Sequence, residues 1–210
     1  MKLSILIPYR DREQHLKVFL KNIFDKVKND FDVLVIEQFN GKPFNRAKLL
    51  NIGFEYKKNS SDYFCFHDVD MIPKEVDYSY PQDGVVHLAT KTSQFNYKMP
   101  SPNYFGGVNL FTKDDFIKIN GFSNDYWGWG AEDDDLRNRV VKNKIKISRR
   151  DCTFESLPHQ RKIIKECYTK NCEKIKSKYD SKLDGLSNLS YNLISKESLN
   201  NFAEKIKVDF

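Results

Sequence analysis

Apolar and polar positions change their period repeatedly along the first third of the chain. Leu3-Ser4-Ile5-Leu6-Ile7-Pro8 is almost continuously apolar and stops at proline, which predicts a buried strand. Leu16, Phe19, Leu20, Ile23 and Val27 then recur at helical spacing and predict an amphipathic helix over about Glu13–Lys28. Phe31–Glu37 reads as a second strand, Asn45–Lys58 as a second helix, and Tyr63–His67 as a third apolar strand. A β-α-β-α-β opening predicts a parallel sheet with right-handed crossovers. Open sheets of this kind bind ligands beyond the carboxyl ends of their strands. Three polar clusters fall at such ends: Tyr9-Arg10-Asp11-Arg12, the loop Gln38–Arg46, and Asp68-Val69-Asp70.

Further on, Val85–Thr90 and Val108–Phe111 read as strands, and Asp114–Asn120 as a short helix closed by Gly121. A helix over Glu132–Asn143 turns Leu136 and Val140 inward, and Ile145 and Ile147 alternate as a strand. Arg161–Tyr179 has helical spacing, with Ile164, Cys167 or Tyr168, Ile175 and Tyr179 on its apolar side. Ser190–Ile194 and Ile206–Phe210 alternate enough for edge strands. The expected class is α/β: a Rossmann-like, mixed and mainly parallel sheet flanked by helices. One domain is expected over residues 1–210, in three parts: 1–75, 76–160, and a C-terminal basic helix with edge strands (161–210).

Composition changes this picture little. A length of 210 residues with 40% hydrophobic and 14% aromatic content supports one real core and argues against disorder. No apolar run approaches the roughly 20 residues of a membrane span. The apolar N-terminal run is too short for a signal peptide, and the four cysteines show neither CxxC pairing nor zinc spacing. A cytoplasmic protein with free thiols is expected. The net charge of +6 is concentrated between Arg161 and Lys182, where eight Lys/Arg stand against three Asp/Glu. A solvated helix face explains such a patch most simply. Peripheral contact with anionic membrane at its inner face is the functional alternative, which salt-sensitive liposome binding tests. No nucleic-acid-binding motif accompanies the charge, so no nucleic-acid partner is expected.

The most informative stretch is Trp127-Gly128-Trp129-Gly130-Ala131-Glu132-Asp133-Asp134-Asp135. Two indoles and two glycines precede four carboxylates. A flat apolar surface beside acids suits a sugar, whose carbon face stacks while its hydroxyls hydrogen-bond. The simpler reading is a helix whose acidic first turn complements its dipole. Asp68 and Asp70 sit two apart at a strand terminus and can hold a hard divalent cation through oxygen. Arg10, Arg12 and Arg46 can grip a nucleotide diphosphate with bidentate donors. Together these groups describe glycosyl transfer from a nucleotide sugar. The metal neutralises the leaving diphosphate, and a carboxylate takes the acceptor proton.

Several ordered blocks carry a resemblance. Pro8-Tyr9-Arg10-Asp11-Arg12, Phe44-Asn45-Arg46-Ala47-Lys48-Leu49-Leu50-Asn51-Ile52-Gly53-Phe54, His67-Asp68-Val69-Asp70-Met71-Ile72-Pro73, Tyr104-Phe105-Gly106-Gly107-Val108 and the Trp127–Asp134 block resemble the β-1,4-galactosyltransferase family. Asp184-Gly185-Leu186 and Leu189-Ser190-Tyr191 are similar to its C-terminal segment. The resemblance implies an inverting, metal-dependent enzyme of the GT-A fold that moves galactose from UDP-galactose to a glycan or glycolipid acceptor in β-1,4 linkage. It implies donor binding by Pro8, Tyr9, Arg10, Arg12, Phe44, Arg46, Asp68, Gly107 and Trp129, the last moving with a closing loop. It implies sugar contacts from Tyr104, Trp129, Glu132, Asp133 and Asp134, with Asp133 as general base beside Glu132. Asp70 and His159 would hold Mn²⁺, with Mg²⁺ as the alternative. Tyr104 matches the position where galactose users carry Tyr and GalNAc users a smaller residue. The chain departs from the family at the second metal region: Glu155-Ser156-Leu157-Pro158-His159 keeps the histidine but offers Ser156 or Leu157 where another ligand is expected. The resemblance suggests a role in surface polysaccharide or glycolipid synthesis. Two other readings stay open: another UDP-hexose as donor, UDP-GalNAc included, and a carbohydrate-binding module without turnover.

Overall fold

The structure, a computed structural model, describes residues 1–160, 163–177 and 179–210. In chain order its strands and α-helices are β1 (Leu3–Tyr9), α1 (Glu13–Ile23), β2 (Phe31–Gln38), α2 (Arg46–Lys57), β3 (Tyr63–His67), β4 (Met71–Glu75), β5 (Val85–His87), β6 (Lys91–Thr92), β7 (Val108–Thr112), α3 (Lys113–Lys118), α4 (Glu132–Lys142), β8 (Ile147–Arg149), β9 (Thr153–Ser156), α5 (Lys165–Lys176), β10 (Asn192–Ser198) and β11 (Ala203–Asp209). Eight strands form the main sheet in the order β10-β11-β2-β1-β3-β7-β5-β8, and β4-β9-β6 form a smaller one. Strands β11, β2, β1 and β3 run parallel, whereas β7 is antiparallel to both β3 and β5. The sheet is mixed and mainly parallel, as the element pattern predicts.

Every residue of β1 is buried, as a central strand covered on both faces requires. Alternate side chains feed two cores. Ile5, Ile7, Val33, Val35 and Cys65 pack with Leu16, Phe19 and Ile23 of α1 on one face. Leu6, Leu34, Ile36, Phe64 and Phe66 pack with Leu50 and Phe54 of α2 and Leu136 of α4 on the other.

Several boundaries differ from expectation. Helix α1 ends at Ile23, and Phe24–Lys26 tightens into a 3₁₀ turn. Val27 then enters the core from extended backbone instead of continuing the helix. The expected Val85–Thr90 strand stops at His87: the Leu88 amide still donates to the Val108 carbonyl, but the Thr90 amide turns back onto the Leu88 carbonyl and Thr90 Oγ1 donates to the Arg150 carbonyl. The basic helix covers only Lys165–Lys176, between extended backbone at Ile164 and Ser177. Arg161, Lys162 and Lys178 of that expected helix lie outside the described residues. The C-terminal strands form a hairpin, and only β10 is an edge. Strand β11 pairs with β2 and buries Ala203, Ile206 and Val208. The small sheet was not expected, since Pro73 interrupts β4 and the ladder shifts register beside it.

Candidate active site

The carboxyl ends of β1, β2 and β3 lie at one edge of the sheet, and the antiparallel β7 begins there, with Val108 opposite His67. After β1 the chain turns through Asp11, whose φ of 52° is left-handed. Pro8, Arg10 and Arg12 then line a cavity of about 520 Å³. Tyr9 does not line it: its ring packs into the α1-side core, with the Lys205 ammonium 5.9 Å from the ring centre. After β2, Gln38 organises the next loop by donating to Asn40 Oδ1 and the Pro43 carbonyl and accepting from the Asn45 amide. Asn45 caps α2 through the Lys48 amide at 2.8 Å, which sets Arg46 as the first helical residue, facing the cavity. Phe44 lies under the Arg10 guanidinium, 5.4 Å from ring centre to carbon.

Arg46 joins the separate clusters. Its Nε donates to Asp68 Oδ1 at 2.6 Å and its Nη1 to Asp133 Oδ1 at 2.9 Å, with Glu132 Oε1 at 4.0 Å. The side chain is 11% exposed, and Nη2 is buried without a hydrogen-bond partner. A buried donor of this kind is costly to leave unmatched and is suited to a ligand oxygen. Burial raises the pKa of Glu132 and pushes that of Asp133 up to about 8, although the Arg46 charge pulls both down. Asp133 nevertheless keeps 27% of its side-chain surface against 13% for Glu132, so Asp133 is the more accessible base. Gly106 makes room for it. A Cβ on Gly106 would stand 2.9 Å from Asp133 Oδ2 and 3.1 Å from the Tyr104 hydroxyl. His87, which burial keeps neutral with a pKa of about 4, bonds the Gly106 carbonyl from behind at 3.0 Å.

Asp68 and Asp70 do not act as a pair. They lie in the turn between β3 and β4, where the Met71 amide donates to the Asp68 carbonyl. Asp68 serves Arg46, whereas Asp70 Oδ2 lies 3.1 Å from His159 Nδ1. Burial, and then the neighbouring Asp68 charge, raise the Asp70 pKa. A carboxylate and an imidazole aimed at one point suit a transition-metal dication. Among the described residues no group of three or more His, Cys, Asp or Glu could hold a metal ion, so this pair leaves other positions to ligand or water. The residues in question at the second metal region have other partners: Ser156 Oγ donates to Met71 Sδ at 3.3 Å, Leu157 packs on the core, and Glu155 Oε2 accepts from the Tyr97 hydroxyl at 3.0 Å. His15 on α1 was not expected here. Its ring meets that of His159 edge-on at 6.1 Å, and its Nδ1 is buried without a partner.

The four acids in the first turn of α4 separate by helix phase. Glu132 and Asp133 face the cavity, Asp134 is exposed outside it, and Asp135 is buried. Asp135 Oδ2 accepts from Arg139 Nε at 2.8 Å, and its Oδ1 accepts from the Tyr179 hydroxyl. Arg139 Nη1 donates to the carbonyls of Gly121 and Asp184, tying α4 to the segment after α5. Removing one partner from a buried pair leaves the other charge uncompensated. Arg139→Leu is expected to lower stability by about 3–5 kcal/mol, measured by urea denaturation; a loss below about 1 kcal/mol, the worth of a surface pair, would show that the pair is dispensable.

Gly107, Tyr104 and Trp129 line the same cavity, together with Gln94, Phe95, Gln160 and Ile164, four residues that no sequence motif marked individually. Tyr104 stacks edge-on against His87 and Phe95, at 5.4 and 5.5 Å. A more open groove of about 800 Å³ beside α2 holds only Glu55 and Lys58 as charged groups, paired with each other. Chemistry therefore concentrates where arginines, a raised carboxylate and a carboxylate–imidazole pair share one wall.

Comparison with known proteins bears on this arrangement. The fold is that of the GT-A glycosyltransferases. A mannosyltransferase from Pyrobaculum calidifontis, solved with GDP-Man and Mn²⁺, shares it at a TM-score of 0.55 and 14% identity, a likeness of fold alone. The catalytic domain of Drosophila β1,4-galactosyltransferase 7 in complex with xylobiose is similar at a TM-score of 0.86 and 26% identity, covering 99% of this chain and 93% of that one. A mutant of that enzyme, solved with manganese, UDP-Gal and xylobiose, matches at a TM-score of 0.82. Residues 1–81 match the family model for the N-terminal region of glycosyl transferase group 7, and residues 86–163 that for the N-terminal domain of galactosyltransferase. Human β-1,4-galactosyltransferase 4 is 39% identical over 225 residues, covering 100% of this chain and 63% of the relative. Mouse β-1,4-galactosyltransferase 5 is 42% identical over 200 residues, covering 90% and 51%. The chain belongs to the β-1,4-galactosyltransferase family, and it spans about half to two thirds of the length of these curated relatives.

Proposed function

We propose that this protein is an inverting, Mn²⁺-dependent β-1,4-galactosyltransferase that moves galactose from UDP-galactose to a glycan hydroxyl. One observation carries the reading: Asp133, held by Arg46 at 2.9 Å, and the Asp70–His159 pair open into one cavity. Arg10, Arg12 and the unmatched Nη2 of Arg46 supply donors for donor oxygens. Asp70 and His159 would hold the cation, which when bound supplies Lewis-acid stabilisation of the departing diphosphate. Asp133 takes the proton of the acceptor hydroxyl as that oxygen bonds to the anomeric carbon. The carbon–oxygen bond to the diphosphate breaks on the opposite face, inverting the centre. Arg46 keeps Asp133 aimed and opposes its protonation. Mutant Drosophila β1,4-galactosyltransferase 7 was solved with manganese, UDP-Gal and xylobiose, which agrees with this donor and with a sugar acceptor.

Release of UDP from UDP-galactose, measured with Mn²⁺ over a panel of xylosides, glucosides and N-acetylglucosaminides, tests the reading. Donor hydrolysis that no acceptor accelerates would sink it. Tyr104 crowds the cavity between Phe95 and Gly106, so it is the natural gate against an N-acetyl group. Tyr104→Leu is expected to raise the use of UDP-GalNAc relative to UDP-galactose by roughly tenfold, the value of a modest pocket change. An unaltered donor ratio would move the gate elsewhere. The physiological acceptor is a glycan or glycolipid of a surface polysaccharide pathway, which the same panel extended to lipid-linked glycans addresses.

A further inference from the structure

Two polar side chains sit fully buried behind the cavity wall, and the chemistry above assigns them no role. His87 at the end of β5 and Asn109 on β7 are both 0% exposed and lie directly opposite each other in the antiparallel ladder. Opposite residues of such a pair point to one face, here the face filled by Val85, Phe111 and Leu136. His87 Nε2 donates to the Gly106 carbonyl at 3.0 Å, and Asn109 Nδ2 donates to the Phe105 carbonyl at 2.8 Å. A carbonyl only accepts, so in the neutral ring Nε2 carries the hydrogen and Nδ1 is bare. That Nδ1 and Asn109 Oδ1 are both buried without a hydrogen-bond partner among the described residues.

A core built for stability alone would carry apolar groups at both positions, because an unmatched buried polar atom costs free energy. Here both side chains hold carbonyls of one short segment, and that segment carries the site. The Val108 amide closes a tight turn on the Gly106 carbonyl at 3.1 Å, with Gly107 at a φ of +85°. A three-residue turn with a positive central φ is the rarer and more strained hand, and His87 puts a second donor on its carbonyl. The Gly107 carbonyl accepts from the Asp68 amide at 3.1 Å, and Gly107 lines the cavity. Gly106 lies against Asp133 Oδ2 and the Tyr104 ring, which the His87 ring meets edge-on. A shift of this turn therefore moves Tyr104, the Asp68 amide and the surface behind Asp133 together.

We infer that His87 and Asn109 are positioning residues: they brace the Phe105–Gly107 turn from behind, so that Tyr104 and Asp133 keep the spacing that admits galactose and turns away an N-acetylated hexose. This rests on the galactosyl-transfer reading and adds a layer beneath its donor site. Neither side chain lines the cavity, so both act through the carbonyls they hold. The donated hydrogen bond is the active feature of His87, and the ring is its packing. Glutamine carries its amide nitrogen the same number of bonds from Cβ as Nε2 and can replace the donor. Phenylalanine keeps a ring against Tyr104 and cannot.

The test measures kcat/KM for UDP-galactose and UDP-GalNAc, and the thermal midpoint, in the full-length parent, His87→Phe and His87→Gln proteins. His87→Phe is expected to lower kcat/KM for UDP-galactose by about tenfold or more, as a small misplacement of a site does. It should also raise the UDP-GalNAc to UDP-galactose ratio by about threefold, a smaller change than removing the gate itself. Its thermal midpoint should stay close to the parent's, because the Gly106 carbonyl keeps the Val108 amide and the unmatched Nδ1 is gone. His87→Gln should return both kinetic values towards the parent's. A merely structural role would lower the midpoint and both rates together and leave the donor ratio intact. A parental ratio in His87→Phe, or a His87→Gln protein no nearer the parent than His87→Phe, overturns the brace. If His87→Phe does not fold, Asn109→Leu decides in its place: the same shift in ratio supports the brace, and a parental ratio overturns it. Calorimetric titration of both donors with Mn²⁺ and no acceptor gives the same comparison as a ratio of affinities. If no acceptor is galactosylated, the transfer reading fails, while that affinity ratio still decides the brace.

Discussion

Asp133→Asn is expected to lower galactose transfer by about 10²–10⁴-fold, the usual loss when a positioned general base is removed. The amide keeps the shape and can still meet Arg46 through its oxygen, so the loss falls on kcat more than on donor binding. Burial holds the Asp133 pKa near 8, and only the ionised carboxylate accepts a proton. Transfer by the parent should rise with pH through neutrality and level off above about 8. The residual activity of the Asn protein should lack that limb. Stability should move the opposite way. The folded pKa of Asp133 lies above the ordinary carboxyl value of 3.8, so the native state binds the proton more tightly and loses this contribution as pH rises from 3.8 towards 8. Asparagine does not titrate. The thermal midpoint of Asp133→Asn should therefore gain on that of the parent between pH 5 and pH 8.5, while activity is lost. A variant that transfers galactose at the parental rate would assign the base elsewhere, with Glu132 the next candidate.

Asp70→Asn is expected to lower kcat/KM by about 10²–10³-fold, since a bound dication supplies several kcal/mol of charge stabilisation to the leaving group. The cause should appear as lost Mn²⁺ affinity, read by counting free Mn²⁺ with electron paramagnetic resonance, independently of turnover. His159→Ala should weaken Mn²⁺ binding as well, because Asp70 and His159 face each other at 3.1 Å and no group of three or more His, Cys, Asp or Glu could hold a metal ion among the described residues. Folding should survive Asp70→Asn, since burial and Asp68 both disfavour the Asp70 charge. An unchanged Mn²⁺ half-saturation in both variants would remove the cation from this pair.

Much of the site could be read from the chain because its parts sit at strand ends. The seven residues Leu3–Tyr9 are wholly buried, and such a strand fixes where Arg10 and Arg12 emerge. Helix α2 begins at its Asn45 cap, which places Arg46. Pairing across long sequence separations could not be read. Arg46 reaches Asp68, 22 positions away, and Asp133, 87 positions away, and only the folded sheet brings them together. Local letters also hid differences of phase. Asp134 and Asp135 look alike in sequence, yet one is solvated and the other forms a buried pair with Arg139 at i+4, a helical spacing that also occurs between solvated charges. Tyr9 shares a motif with Arg10 but points into the core, because neighbours on a strand face opposite ways. The small sheet leaves no clear pattern in the sequence, because β6 is two residues long and Pro73 breaks the pattern of β4.

A crystal grown with UDP-galactose and Mn²⁺, measured at the manganese absorption edge, locates the ion with no assumption about mechanism. The anomalous peak should lie within about 2.5 Å of both an Asp70 oxygen and a His159 ring nitrogen, the range of direct coordination, with the Asp133 carboxylate open on the far side of the sugar. A peak remote from Asp70, or one coordinated by Asp133 itself, would contradict the division of labour between the metal-holding pair and the base.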